Sequence, residues 1–82
     1  MALYTARIEI RLKKGTADPE GKNTEKALNL LGIKAQNVKS VKLFEMDISS
    51  KTKKDAYDVA EEACERLLAN PVTHNYRITI KE

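Results

Sequence analysis

The chain has 82 residues, among them 15 Lys or Arg, 12 Asp or Glu, one His and one Cys, and its formal net charge is +3. A domain of this length buries only about 60% of the surface that its unfolded chain exposes, so such domains usually gain stability from disulfides, metals or association. One cysteine excludes an intrachain disulfide and one Cys with one His falls short of a four-ligand zinc site, which leaves association of a single domain, residues 1–82, with other chains.

The first segment alternates strictly between apolar and polar side chains, which predicts a half-buried strand. Its apolar members are Tyr4, Ala6, Ile8, Ile10 and Leu12. Gly15 ends the alternation and places a turn after the strand.

Asp18-Pro19 predicts the start of a helix, because Asp caps free amides and the missing N–H of Pro needs no partner at the first helical position. One side of this helix carries Thr24, Ala27, Leu28 and Leu31. Gly32 is expected to end the helix in a left-handed conformation.

The segment from Val38 to Ser49 is read as one long strand with two apolar phases. Val41 and Leu43 share one phase, and Phe44, Met46 and Ile48 share the other. Since a slip of one residue exchanges the two faces of a strand, we expect a bulge or bend near Phe44–Glu45. A tight break into two strands is the alternative.

Thr52 and Asp55 have the spacing of a capping box at the start of a second helix. The apolar stripe of this helix consists of Ala56, Val59, Ala60, Ala63, Cys64, Leu67 and Leu68. Asn70-Pro71 is expected to end it, with Asn70 in a left-handed turn and Pro71 unable to continue the helix.

Tyr76, Ile78 and Ile80 alternate with polar residues and predict the last strand. The order β-α-β-α-β predicts an α+β fold related to ferredoxin-like plaits, with two helices on one face of a small antiparallel or mixed sheet.

The sequence contains no recognisable catalytic, cofactor-binding or metal-binding constellation. His74 lacks a neighbouring nucleophile or carboxylate and is read as a solvated residue at a strand edge, and Cys64 as a core residue. The Gly15–Lys22 segment departs from a phosphate loop, because five residues separate its glycines and Asn23 follows the Lys. Acidic residues at the start of the first helix are explained by the helix dipole.

Two basic clusters, Lys13-Lys14 and Lys51-Lys53-Lys54, raise the question of nucleic-acid binding. The chain has only four aromatic side chains, and Tyr4 and Tyr76 follow the apolar phase of their strands. Because single-strand binders stack bases on exposed aromatic side chains, no nucleic-acid partner is expected.

Two motifs resemble the PurS family. The turn Gly15-Thr16-Ala17-Asp18-Pro19-Glu20-Gly21 is similar to its G-V-x-D-P-x-G turn, and the run from Cys64 to Tyr76 is similar to its C-x-x-L-L-A-N-P-V-I-E-x-Y run. Thr73-His74 stands where that family has Ile-Glu. The motif residues are Gly15, Asp18, Pro19, Gly21, Asn70, Pro71 and Tyr76.

The resemblance implies a PurS-like plait that acts as a non-catalytic subunit of phosphoribosylformylglycinamidine (FGAM) synthase, an ATP-dependent carbon–nitrogen ligase of purine biosynthesis with glutamine as amido donor. It implies a large synthetase subunit and a glutaminase subunit as partners, with ATP, magnesium and glutamine used by those chains. It further implies assembly of the complex and passage of ammonia between its sites, with this chain as a homodimer or homotetramer.

A small regulatory plait or a nucleic-acid-binding module is the alternative function. No apolar run approaches the roughly 18 residues of a membrane helix, and no signal peptide is visible. An unpaired cysteine is typical of a reducing compartment, so we expect a cytoplasmic protein without a membrane partner.

Overall fold

The computed structural model describes residues 2–82, and Met1 lies outside the described residues. The elements follow the predicted order. They are β1 (Ala2–Leu12), α1 (Pro19–Leu30), β2 (Lys42–Ser50), α2 (Lys53–Ala63), a π-helical turn (Cys64–Leu68) and β3 (His74–Lys81).

The three strands form one antiparallel sheet in the order β2-β1-β3. Since both outer strands run antiparallel to β1, they run parallel to each other, and α2 connects them by crossing over the central strand. This helix contacts all three strands. The predicted α+β class is therefore confirmed, with the second half of the chain forming a split β-α-β unit.

The core lies between α2 and the sheet. The buried residues of β1 are Tyr4, Ala6, Ile8 and Ile10, as the alternation predicts, whereas Leu12 at the end of the strand is half-buried. The buried hydrophobic residues are Tyr4, Ala6, Ile8, Ile10, Ile48, Ala56, Ala60, Cys64, Ala69 and Ile80. Small side chains at Ala56 and Ala60 let the helix backbone approach the strands closely.

The middle strand differs from its prediction. It begins at Lys42, and its pairing with β1 is one-to-one from Ser50 to Lys42, so there is neither a break nor a bulge near Phe44–Glu45. Phe44 pairs with Ile8 on the α2 side, whereas Leu43 lies on the open face and is 50% exposed. The bulge was inferred on the assumption that every apolar side chain is buried within the chain, and Leu43 is not.

The prediction of two helices on one face of the sheet is wrong for the first helix, which has no extensive contact with any strand. This helix lies in the connection between two adjacent antiparallel strands, which leaves and returns at the same end of the sheet. Gly21 is its only buried residue, and none of its contacts with a strand is extensive. Its placement accounts for the elongated shape of the described residues, 51 × 26 × 14 Å. Within one chain, α2 alone covers the sheet.

The second helix ends in a π-helical turn. The Ala69 N–H donates to the Cys64 carbonyl at 3.0 Å, which closes the wider ring. The extra residue changes the helical phase, so Leu68 is half-buried whereas Leu67 is 84% exposed. Of the predicted apolar stripe, Ala56, Ala60 and Cys64 are buried, Ala63 and Leu68 are half-buried, and Val59 and Leu67 are exposed.

Candidate assembly surface

The structure brings the two sequence motifs together at one end of the sheet. The first motif forms the turn from β1 into α1, and the second forms the turn from the π-helix into β3. Lys13 joins them, because its N–H donates to the Thr73 carbonyl and its Nζ to the Pro71 carbonyl, both at 2.7 Å. We call this region the motif end.

Asp18 is the organising residue of the first motif. It is the N-cap of α1, and its Oδ1 accepts from the Gly21 N–H at 3.0 Å. It also accepts from the Ser40 N–H and the Ser40 hydroxyl, both at 2.8 Å. These bonds, chiefly the one from the Ser40 N–H, lower the pKa of Asp18. One carboxylate thus fixes the helix start to the segment that leads into β2.

Gly21 is required by lack of space. A Cβ atom at this position would lie 2.6 Å from both Asp18 Oδ2 and the Val38 carbonyl oxygen. Gly15 is required for a different reason, since its φ is +88° and no atom lies within 4 Å of an added Cβ. Gly15 permits the turn after β1. Gly21 permits α1 to contact residues 31–41, the segment that leads from α1 into β2, which we call the returning segment.

Polar bonds, rather than apolar packing, hold the rest of α1 to that returning segment. Glu25 Oε1 accepts from the Val38 N–H at 3.0 Å, and Asn29 Nδ2 donates to the Ala35 carbonyl at 3.1 Å. Sequence reasoning missed these partners because they lie at separations of 6 to 22 residues along the chain, where periodicity carries no information.

Asn70 does not adopt the predicted left-handed conformation. Within residues 2–82, Asn37 is the only residue other than glycine with a positive φ. The prediction overlooked the effect of Pro71, which restricts the preceding residue to extended backbone. Asn70 acts through its side chain instead, because its Oδ1 accepts from the Val72 N–H at 2.9 Å and forms an Asx turn.

His74 completes the second motif and is not merely solvated. The side-chain Nδ1 of His74 accepts from the Asn70 backbone N–H at 2.8 Å, and the backbone N–H of His74 donates to the Asn70 carbonyl at 2.8 Å. These reciprocal bonds close the turn before β3. The only sequence signal for this role is the four-residue spacing from Asn70 to His74.

Cys64 and Tyr76 are the first and last residues of the second motif. Cys64 is fully buried, and burial raises the pKa of its thiol. Tyr76 is half-buried on the α2 side, and desolvation, followed by the charge of Glu61, raises the pKa of its phenol. A buried thiol with a raised pKa is a poor nucleophile.

An exposed apolar surface lies at the C-terminal end of α1. Leu30, Leu31 and Ile33 are 79%, 76% and 51% exposed. Of the predicted apolar side of this helix, Leu28 is half-buried, whereas Thr24, Ala27 and Leu31 are exposed. Phe44 offers a second apolar surface on the α2 side of the sheet, where it is 37% exposed.

The open face of the sheet has a different character. Arg7 Nε lies 3.2 Å from Glu45 Oε2, and the Thr5 hydroxyl donates to Asp47 Oδ1 at 2.8 Å. Both pairs link β1 to β2 across the face that α2 leaves uncovered. Exposed ion pairs of this kind contribute little to stability, but they place charges on a face that also exposes Leu3 and Leu43.

No three His, Cys, Asp or Glu side chains of residues 2–82 are placed to hold a metal ion together. In the same part of the chain, no helix has the length and hydropathy needed to cross a membrane. The geometry of the motif end is thus one of turns, caps and contact surface.

Residues 5–82 match the family model of PurS, phosphoribosylformylglycinamidine (FGAM) synthase. The chain belongs to the PurS family. It is 47% identical to the FGAM synthase subunit PurS of Archaeoglobus fulgidus over 78 residues, which cover 94% of this chain and 98% of that protein.

Solved PurS structures share the fold. PurS of Methanocaldococcus jannaschii, described as a subunit of formylglycinamide ribonucleotide amidotransferase in the purine biosynthetic pathway, superposes with a TM-score of 0.87 at 38% identity, covering 96% of each chain. A chain of the PurLQS structure from Thermotoga maritima superposes with a TM-score of 0.91 at 27% identity, covering 99% of this chain and all of that one. PurS is thus a subunit of FGAM synthase in purine biosynthesis.

Proposed function

We propose that this chain is a single-domain, cytoplasmic assembly subunit of FGAM synthase that contributes contact surface, while the reactive groups reside on other chains. Its partners are a large synthetase subunit, which uses ATP and magnesium, and a glutaminase subunit, which releases ammonia from glutamine. Ammonia that escapes into water is protonated and lost, so a sealed interface between the two sites favours the overall reaction.

The exposed apolar residues at the C-terminal end of α1, Leu30, Leu31 and Ile33, carry this proposal. A helix of 12 residues is marginally stable on its own, and α1 is attached to its own chain only through caps and polar bonds. The exposed parts of Leu30, Leu31 and Ile33 amount to about two whole side chains, so covering them would stabilise an assembly by roughly 3–6 kcal/mol per chain, at about 1.5–3 kcal/mol for each fully buried apolar side chain. A helix with this surface fits an interface better than it fits water.

A second copy of the chain is the partner that α1 fits most directly. Each copy offers both an uncovered helix side and an apolar sheet surface at Phe44, and a two-fold axis would bring each helix to the partner's sheet. The charged open face and the exposed helix favour α1 as the dimer contact, and a tetramer would add a second interface.

Sedimentation of matched variants tests this contact. Leu31→Glu places a charge on the exposed side of α1, and we expect it to yield monomers at concentrations where the wild type is a dimer. Leu3→Glu is the control, because Leu3 is 62% exposed on the open face. If Leu3→Glu dissociates the dimer and Leu31→Glu does not, the interface lies on the open face of the sheet and the proposal is contradicted.

Co-purification tests the partners. The tagged chain, expressed at native level in its own cytosol, is expected to retain an ATP-binding synthetase and a glutaminase in constant ratio. Retention of neither chain, while the protein remains folded and dimeric, would refute the assignment to the complex.

A further inference from the structure

A small basic cavity lies at the motif end, between the turn into α1 and the segment that leads to β2. Its volume is about 180 Å³. Four cationic side chains line it, namely Arg11, Lys13, Lys14 and Lys39. Asp18 contributes the one carboxylate in the lining. We call this feature the basic turn pocket.

The charges of the pocket are only partly compensated within the chain. Arg11 lies 3.3 Å from Glu9, in an ion pair whose two side chains are 56% and 32% exposed. Lys13 Nζ donates to the Pro71 carbonyl. Because the carbonyl is neutral, this bond leaves the positive charge of Lys13 uncompensated. Among residues 2–82, Lys14 and Lys39 form no ion pair within 4.0 Å.

The Asp18 carboxylate keeps its negative charge while its oxygens accept three hydrogen bonds, so it offsets one of the four positive charges. Counting Glu9 and Asp18 against the four cations leaves a net charge of +2 in a region formed by two short segments. Such a surface attracts acidic partners and steers their approach.

We propose that the basic turn pocket receives an acidic protein segment from another subunit of the complex, with Lys14 and Lys39 as the cations that pair with its carboxylates. The inference rests on the proposed function, because the segment belongs to a partner chain. It adds an electrostatic contact to the apolar one along α1.

The donor chemistry favours carboxylates of a protein segment over a phosphate group. Phosphate sites at helix starts use converging backbone N–H groups. Here Asp18 already occupies the N–H groups of Gly21 and Ser40, and Pro19 has none. What remains are flexible lysine ammonium groups spread around an open rim, which suit several carboxylates along a chain more than one compact anion.

The test compares two variants with equal charge change in the reconstituted complex. Lys14→Glu with Lys39→Gln alters the pocket, and Lys51→Glu with Lys53→Gln alters the other basic cluster. Lys14, Lys39, Lys51 and Lys53 are all exposed, and thermal unfolding of each isolated variant verifies its fold. The dissociation constant of the chain from its synthetase and glutaminase partners is measured at several KCl concentrations.

We expect the pocket variant to weaken the complex about tenfold and to flatten its dependence on salt, as the loss of a few exposed charge pairs requires. The control variant is expected to bind as the wild type does. Equal affinities of the two variants would overturn the proposal. So would tight binding of inorganic phosphate to the isolated wild type, detected as shifts of the Gly15 and Thr16 amide signals that the pocket variant lacks. If the wild type itself fails to bind partners, the proposed function fails first.

Discussion

Replacing Gly21 by Ala probes the contact between α1 and the returning segment. The added Cβ would lie 2.6 Å from Asp18 Oδ2 and from the Val38 carbonyl oxygen, whereas ordinary contact begins near 3.4 Å. Each oxygen must therefore move by about 0.8 Å. Asp18 can move only by weakening its bonds to Ser40, and the Val38 oxygen belongs to the backbone.

Two opposing effects set the magnitude. In a helix without obstacles, Gly→Ala stabilises by about 1 kcal/mol. Overpacking of a tight contact costs about 1–3 kcal/mol. With a mid-range cost of about 2 kcal/mol, the expected net loss in the free energy of unfolding is about 1 kcal/mol, opposite in sign to the helix propensity.

Urea unfolding at fixed chain concentration measures this loss, since association makes stability depend on concentration. Asn23→Ala is the control, because Asn23 is exposed in the same helix and its replacement should be neutral or slightly stabilising. If Gly21→Ala is as stable as the wild type or more so, α1 is not held against the returning segment as described.

Three further predictions concern single side chains. Hydrogen bonds hold the pKa of Asp18 below its ordinary value of 3.8, so its carboxylate stabilises the fold above pH 3.8, and this contribution disappears as the pH falls through the lower folded-state pKa. Asp18→Asn should therefore lose less stability on acidification than the wild type does. Parallel acid-unfolding curves of the two proteins would contradict this. Burial and a raised pKa protect the Cys64 thiol, so its alkylation at pH 8 should follow the rate of unfolding, and labelling within seconds in the native state would be the opposite result. His74→Ala should destabilise by about 1 kcal/mol through the lost bond to the Asn70 N–H, whereas His74→Asn, which keeps an acceptor, should lose less; equal losses in thermal unfolding would refute the role of Nδ1.

Local patterns determined the elements that pack within the chain. The alternation of Tyr4 to Leu12 placed β1 and its buried side, because a strand with one covered face needs apolar residues at every second position. The cap at Thr52 was equally readable, and its side chain accepts from the Asp55 N–H at 3.1 Å. Such features depend on neighbours within a few residues.

The features that sequence reasoning missed depend on which surface each side chain faces in the folded protein. The apolar side of α1 was identified, but periodicity does not reveal whether the facing surface belongs to the same chain. The predicted bulge near Phe44–Glu45 is absent. It was predicted because Leu43 was assumed to face the core of its own chain. The bond from Ser40 to Asp18 spans 22 residues and follows from the tertiary fold alone.

The glutamine-dependent amidation of formylglycinamide ribonucleotide provides the most direct test of the central claim. Purified synthetase and glutaminase are titrated with this chain in the presence of ATP and magnesium, and each protein is also assayed by itself. Activity should rise with added chain and saturate at a fixed ratio, while the chain alone produces none. Full activity of the two partners without the chain, or turnover by the chain in isolation, would contradict its role as a subunit that contributes contact surface.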